Sequence, residues 1–265
     1  MNTMQRILAA TAFLTAVSCA SPQQTKVLVL YYSQEGSTQA VAEEIAAKLG
    51  ADTEQIVAVE PYDGDFQATI QRCLQEREAG IVPEIQPLAA DLSAYDLIFL
   101  GYPVWFGTYA PPVISLLNQI DLSGKKVVPF CTFGSGGLDA SIRDLKAAQP
   151  KAEVLPGYGV RAARLAAMPK ELDQFLKENA FLEGAYIQLP PFPEQLPVSE
   201  EEAAILDAAI ADYPMLQGVS AVSAAARPVP GGTEYLFTAQ SQDLTMQIYV
   251  LAEEGQAPVF TQVIR

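Results

Sequence analysis

VLVLYYSQEGSTQAVAEEIAAKLG, residues 27–50, opens with six apolar, β-rich residues, passes through a small polar loop and ends in a helical pattern. A continuous apolar run of this length is the signature of a strand buried on both faces of a parallel sheet. Val41, Ile45 and Leu49 then recur at i, i+4 and i+8, with Lys48 in the last turn and Gly50 as the stop. The alternation continues along the chain. A strand is expected at about 55–59, a helix at about 66–78 and a strand at 96–101. A helix opened by Pro111-Pro112 follows, then a strand at 127–132 and a helix carrying Leu138, Ile142 and Leu145. A short irregular strand region at about 153–160 and a helix with Leu172, Phe175 and Leu176 complete the series. Five strands alternating with five helices predict an α/β fold, a doubly wound five-stranded parallel sheet with helices on both faces.

The pattern changes at LPPFPEQLP (189–197), where four prolines favour an extended linker. Ser199 with Glu202 forms a capping box for a helix that Pro214 stops. Strand-like runs follow near 217–226, 233–239, 244–252 and 258–264. These predict a small α+β antiparallel C-terminal domain over 199–265, small enough to need docking on its neighbour. The domain plan is therefore a leader at 1–19, a tether at 20–26, an α/β domain at 27–182, a Pro-rich linker at 183–198 and the α+β domain.

Composition narrows the chemistry. The chain has 265 residues, 16 Lys+Arg against 31 Asp+Glu and a formal charge of -15, so it repels nucleic acid and no nucleic acid partner is expected. It has no histidine, which excludes His-activated nucleophiles, His-ligated zinc and His-ligated haem. No residue stands out as a catalytic acid or base, or as a metal ligand. Cys73 and Cys131 lie in a helix and a buried strand and read as free thiols. Met1–Arg6 and the apolar run Ile7–Val17 read as an export signal. Ala16-Val17-Ser18-Cys19 resembles the lipobox of bacterial lipoproteins, which implies lipidation at Cys19. The expectation is an exported lipoprotein facing the periplasm or cell exterior and touching the membrane through its lipid anchor only.

Three loops fall at the carboxyl ends of the strands, where open α/β sheets bind ligands. SQEGST (33–38) precedes a helix and offers backbone N–H groups and the hydroxyls of Ser33, Ser37 and Thr38 to an anion, although the same residue types also serve as plain caps. PVWFGT (103–108) places Trp105, the only tryptophan, and Phe106 where a solvated loop should be polar. These rings suit stacking on a flat ligand or capping the core. TFGSGG (132–137) supplies backbone donors without side-chain bulk.

YYSQEGST, GYPVWFGTYAPPV and PFCTFGSGG, in this order, resemble the flavodoxin-like family of FMN proteins in the branch with a GYP-x-W loop. The resemblance spans roughly residues 26–180 and implies strand order 2-1-3-4-5 with noncovalently bound FMN at the switch point. It implies that Ser33, Gln34, Gly36, Ser37 and Thr38 hold the phosphate. Pro103, Val104, Trp105, Phe106 and Gly107 would cover one face of the isoalloxazine, and Thr132, Phe133, Gly134, Ser135 and Gly136 its other side. Glu35 departs from the family's usual threonine and sets a carboxylate beside a phosphate dianion. The implied function is electron transfer or a simple flavin-dependent reduction, with redox donor and acceptor unspecified. The alternative is a cofactor-free flavodoxin-fold scaffold whose C-terminal domain binds a protein partner through 199–265.

PVPGGTEYLF (228–237), after a helix and a strand, is similar to cystatins, with Arg227 where their hairpin glutamine stands. Asp63-Gly64-Asp65 reads as a turn, and Arg161, Arg164 and Lys170 as a solvated edge of the last parallel strand.

Overall fold

A computed structural model describes residues 25–63, 65–241 and 244–265, which form two sheets. The export signal, Cys19, most of the tether and Gly64 lie outside the described residues. The first sheet is built from β1 (Val27–Tyr31), β2 (Asp52–Gln55), β3 (Leu97–Trp105), β4 (Thr108–Tyr109), β5 (Lys126–Phe133), β6 (Glu153–Val154) and β7 (Tyr158–Arg161). Its order is β2-β1-β3-β5-β6, with β7 also paired to β5 and β4 antiparallel to the end of β3. Because β6 and β7 together fill one position, the parallel order is the expected 2-1-3-4-5, and the order reverses between β1 and β3.

Five helices cover the sheet: α1 (Ser37–Leu49), α2 (Phe66–Ala79), α3 (Pro111–Gln119), α4 (Leu138–Ala148) and α5 (Met168–Glu178). The two-residue period of the strands splits the core. Val29, Tyr31, Phe99, Val128 and Phe130 face Val41 and Ile45 of α1 and Leu172 and Leu176 of α5. Leu28, Leu30, Ile98, Leu100, Val127 and Cys131 face Cys73, Val113, Leu116, Leu117 and Leu145 of the other three helices. Gly101 in β3 is a packing glycine, since a Cβ there would collide with the Phe130 ring. Cys73 and Cys131 are free and buried.

The second strand differs from expectation. It runs over Asp52–Gln55; the Ile56 N–H still donates to the Tyr31 carbonyl at 2.7 Å, and past it Val57 and Ala58 leave β1, Ala58 forming a lone bridge with Ile85. As the edge of the sheet, β2 pairs on one side only and needs little apolar surface.

The second sheet is antiparallel throughout, in the order β12-β11-β10-β9-β8, from β8 (Leu196–Pro197), β9 (Ser220–Val229), β10 (Gly232–Ser241), β11 (Leu244–Glu253) and β12 (Val259–Ile264). The expected strand at 217–226 is displaced, because Pro214–Leu216 forms a 3-10 turn and β9 continues to Val229. Helix α6 (Glu200–Ile210) starts at the Ser199–Glu202 capping box. Its Leu206 and Ile210 join Phe237, Ile248, Val250 and Phe260 in a third core.

The Pro-rich segment lies across the opposite face of this sheet. Ser223 and Thr238 both donate to Gln195 Oε1, at 2.7 and 2.6 Å. The Phe192 ring meets Tyr249 edge-on at 6.0 Å, and the Arg227 guanidinium lies 4.2 Å from its centroid. The small sheet is thus covered on both faces, by α6 and by the segment that leads into it.

Candidate functional site

The polar loop after β1 forms a row of free donors. Gly36, in the left-handed region at φ 85°, caps α1 without any side-chain cap bond. No backbone N–H from Gln34 to Thr38 has an acceptor among the described residues, whereas the Gln39 N–H donates to Ser33 Oγ at 3.2 Å. Five successive free N–H groups at the start of a 13-residue helix concentrate positive potential with no cation. The Thr38 and Thr132 hydroxyls, both buried, bond at 2.8 Å and join this loop to the end of β5. Glu35 is exposed. The Gln34 side chain is turned to Tyr32 and Tyr62: the Tyr32 hydroxyl donates to Gln34 Oε1 at 2.5 Å, and Gln34 Nε2 donates to the Tyr62 carbonyl. Of Gln34, only the backbone N–H is left to the cup.

The aromatic loop after β3 is a hairpin. Val104 pairs with Tyr109 and Trp105 with Thr108, and Phe106 and Gly107 turn the chain at φ 51° and 84°. Two successive positive φ angles mark the type I′ pattern, in which a phenylalanine is out of place. Phe106 is 48% exposed, with the Arg77 guanidinium 5.2 Å from its ring. Trp105 is half-buried and packs on the core; it meets Tyr32 edge-on at 6.0 Å and Tyr62 at 5.3 Å. Tyr62 is itself clamped. Arg72 stacks on its ring at 3.9 Å, and its hydroxyl donates at 2.6 Å to Glu76, which Arg72 also binds at 2.8 Å. Burial, then the bond to Glu76, holds the Tyr62 phenol well above its usual range. Among the described residues, Thr108 Oγ1 is buried without a hydrogen-bond partner.

The glycine loop after β5 is shared between the two domains. Phe133 is buried in the core. The Gly134 carbonyl accepts from Arg161 Nε at 3.0 Å and from the Tyr213 hydroxyl at 2.5 Å. The Ser135 carbonyl accepts from the Val263 N–H at 2.7 Å. A Cβ on Gly136 would run into the Val263 carbonyl, and one on Gly137 would stand 2.5 Å from Val104 Cγ1. The glycines therefore let the C-terminal domain approach from one side and the aromatic hairpin from the other. The N–H groups of Gly134 to Gly137 have no acceptor among the described residues.

Arg161 is the residue that sequence reasoning misplaced. It is no solvated edge, because it donates to the Phe260 carbonyl and lies 4.2 Å from the Phe260 ring and 5.0 Å from that of Tyr213. Burial lowers its pKa from the ordinary arginine value. Arg164 pairs with Glu171 at 2.5 Å.

A cavity of about 230 Å³ adjoins the polar loop, lined by Tyr32, Ser33, Gln34, Ile56 and Tyr62 among others. A groove of about 1130 Å³ lies at the opposite end of the strands, beside Val27, Tyr95, Leu97 and Lys126. The smaller cavity is the better candidate, since ligands of such sheets bind beyond the carboxyl ends at the switch point. The donors also fit a flavin nucleotide. The free N–H row suits its phosphate, the second free row suits the acceptor edge of its ring, and the orphaned Thr108 hydroxyl marks a polar group in want of a partner.

The chain is similar to several known proteins. A curated NAD(P)H dehydrogenase (quinone) of Gluconacetobacter diazotrophicus is 35% identical over 100 residues, covering 36% of this chain and 46% of that protein. The chain thus spans less than half the length of that relative. A Bacteroides uniformis protein provisionally classed as a flavoprotein matches 57% of this chain and 99% of its own, with 24% identity and a TM-score of 0.50. A flavoprotein of Lactobacillus acidophilus NCFM, crystallised in complex with FMN, matches 51% of this chain and 93% of its own, with 29% identity and a TM-score of 0.47. The flavodoxin family model matches residues 26–173, more than half of the sequence, and the chain belongs to the flavodoxin family.

Proposed function

We propose that this chain binds FMN noncovalently at the carboxyl end of its parallel sheet and serves electron transfer or a simple flavin-dependent reduction. The observation that carries the reading is the row of five free N–H groups from Gln34 to Thr38, in a chain of the flavodoxin family. Those donors, with the hydroxyls of Ser33, Ser37 and Thr38, would hold the phosphate. The hairpin Pro103–Gly107 would cover one face of the ring, with Trp105 fixed by Tyr32 and Tyr62. The loop from Gly134 to Gly136 would line its other side, while Phe133 is spent in the core and Thr132 on its bond to Thr38. When bound, FMN supplies reversible electron uptake, and the protein supplies binding, orientation and field. Glu35, the sole carboxylate of the phosphate loop, is exposed, and no other acid or base stands out in the three loops.

Quinones fit as acceptors, in keeping with the partial likeness to a quinone dehydrogenase. The pattern of residues 1–19 supports work outside the cytoplasm from a lipid anchor on Cys19. The formal charge of -15 opposes added electrons, so the bound flavin is expected to have a lower potential than free FMN. A redox titration giving an equal or higher value contradicts that expectation.

The deciding experiment is a visible absorption spectrum of the purified protein after incubation with FMN and desalting. A retained, structured flavin band at one equivalent supports the reading. A protein that stays colourless ends it and leaves the cofactor-free scaffold. Quinone-dependent oxidation of NAD(P)H by the loaded protein then separates a reductase from a carrier.

A further inference from the structure

One loop of the site is held by its carbonyl groups, by Tyr213 and Val263 of the C-terminal domain and by Arg161 at the end of β7. Both acceptor positions of the Gly134 carbonyl are taken, by Arg161 and Tyr213, and the Ser135 carbonyl is taken by Val263. The chain has no cis peptide bond among the described residues. In a trans peptide the C=O of one residue and the N–H of the next point opposite ways. Holding the Gly134 and Ser135 carbonyls toward the C-terminal domain therefore turns the Ser135 and Gly136 N–H groups away from it. These two belong to the free row, and the same loop touches the aromatic hairpin at Gly137 and Val104.

We propose that Arg161 and Tyr213 are positioning residues through which the C-terminal domain presents the Ser135 and Gly136 N–H groups to the flavin, so that the two domains form one binding unit. The inference rests on the FMN reading above and assigns the C-terminal domain a role in it. Arg161 is suited to the task because it bridges both domains, donating to Gly134 on one side and Phe260 on the other. Tyr213 is braced for it by Phe260, edge-on at 5.0 Å. Coupling of this kind is reciprocal, so bound FMN also tightens the docking of the domains.

The test compares the full chain with Tyr213→Phe, which removes one hydrogen bond and keeps the ring, with Arg161→Ala and with Arg161→Lys. Fluorescence titration gives FMN affinity, the visible spectrum gives the environment of the bound ring, and hydrogen exchange at the Val263 amide reads docking without ligand. Tyr213→Phe is expected to weaken FMN roughly fivefold and Arg161→Ala more than tenfold. Both shift the flavin band and speed exchange at Val263, and Arg161→Lys restores part of the loss. FMN binding within twofold of wild type in both Tyr213→Phe and Arg161→Ala overturns the proposal while the cofactor reading stands. Unchanged exchange at Val263 overturns the latch itself. A wild-type chain that takes up no FMN instead overturns the cofactor reading, and the proposal with it.

Discussion

The Thr38 and Thr132 hydroxyls, 94 residues apart in sequence, meet at 2.8 Å in the buried seam between the first and third loops. Each is the other's hydrogen-bond partner among the described residues, so Thr132→Val leaves the Thr38 hydroxyl buried and unpaired. The expected cost is about 1–3 kcal/mol, read from urea unfolding. The double variant Thr38→Val/Thr132→Val should cost less than the sum of the singles, since it removes both polar groups at once. Additive losses would show that the two hydroxyls do not depend on each other.

Glu35 stands exposed at the cup. Replacing it by glutamine removes a negative charge beside the expected phosphate dianion, so Glu35→Gln should bind FMN severalfold more tightly. The gain should shrink with added salt, because exposed charges are screened over about 10 Å at 0.1 M. Without FMN the same variant loses a favourable charge at the helix N-terminus and should unfold slightly more easily. Equal affinities at low and high salt would remove Glu35 from the binding energetics.

Phe106 occupies the left-handed region at the first position of the hairpin turn, where asparagine or glycine is preferred. Phe106→Asn should therefore stabilise the apoprotein by about 1 kcal/mol while weakening FMN severalfold. A variant that neither gains stability nor loses affinity would make the exposed ring an ornament of the turn. Trp105 is the only tryptophan, so its emission reports on this hairpin alone.

The parallel sheet was legible because β1, β3 and β5 are buried on both faces and have to be apolar almost throughout. Strand β2 was displaced in the reading because an edge strand can be written Asp-Thr-Glu-Gln, while Ile56 and Ala58, which follow it, are buried at or past its end. The free N–H row follows from small residues before a helix, a local property that sequence carries well. The setting of Trp105 was hidden, since it depends on Tyr62, which reaches the hairpin from the loop after β2. Arg161 was misread as a solvated edge, and Tyr213 was missed, for the same reason. Nothing local distinguishes a solvated arginine from one that closes on a strand 99 residues later.

Stability should be flat between about pH 5 and 8, because the chain has no histidine, the side chain that ordinarily titrates there. The losses lie outside that window. Burial, reinforced by Glu76, pushes the Cys73 thiol up from 9.0 to about 11. Its folded form therefore keeps a proton that the unfolded chain releases. That contribution is complete below pH 9 and is lost as the pH rises through about 11. Tyr62, Tyr102 and Tyr158 are raised too, each chiefly by burial, and they extend the alkaline descent in the same direction. At the acid end the hydrogen bond from Lys177, with help from Lys48, lowers the Asp173 pKa from 3.8, so its small contribution is present above that value and fades below it. Urea midpoints measured from pH 3 to 11 should trace this plateau with two shoulders. Cys73→Ala should start from a lower plateau and fall less steeply between pH 9 and 11. A sharp fall between pH 5 and 8 would instead require a group that titrates near neutrality in a chain without histidine, and an alkaline limb unchanged in Cys73→Ala would assign the descent to the buried tyrosines and to Cys131, whose thiol burial also raises.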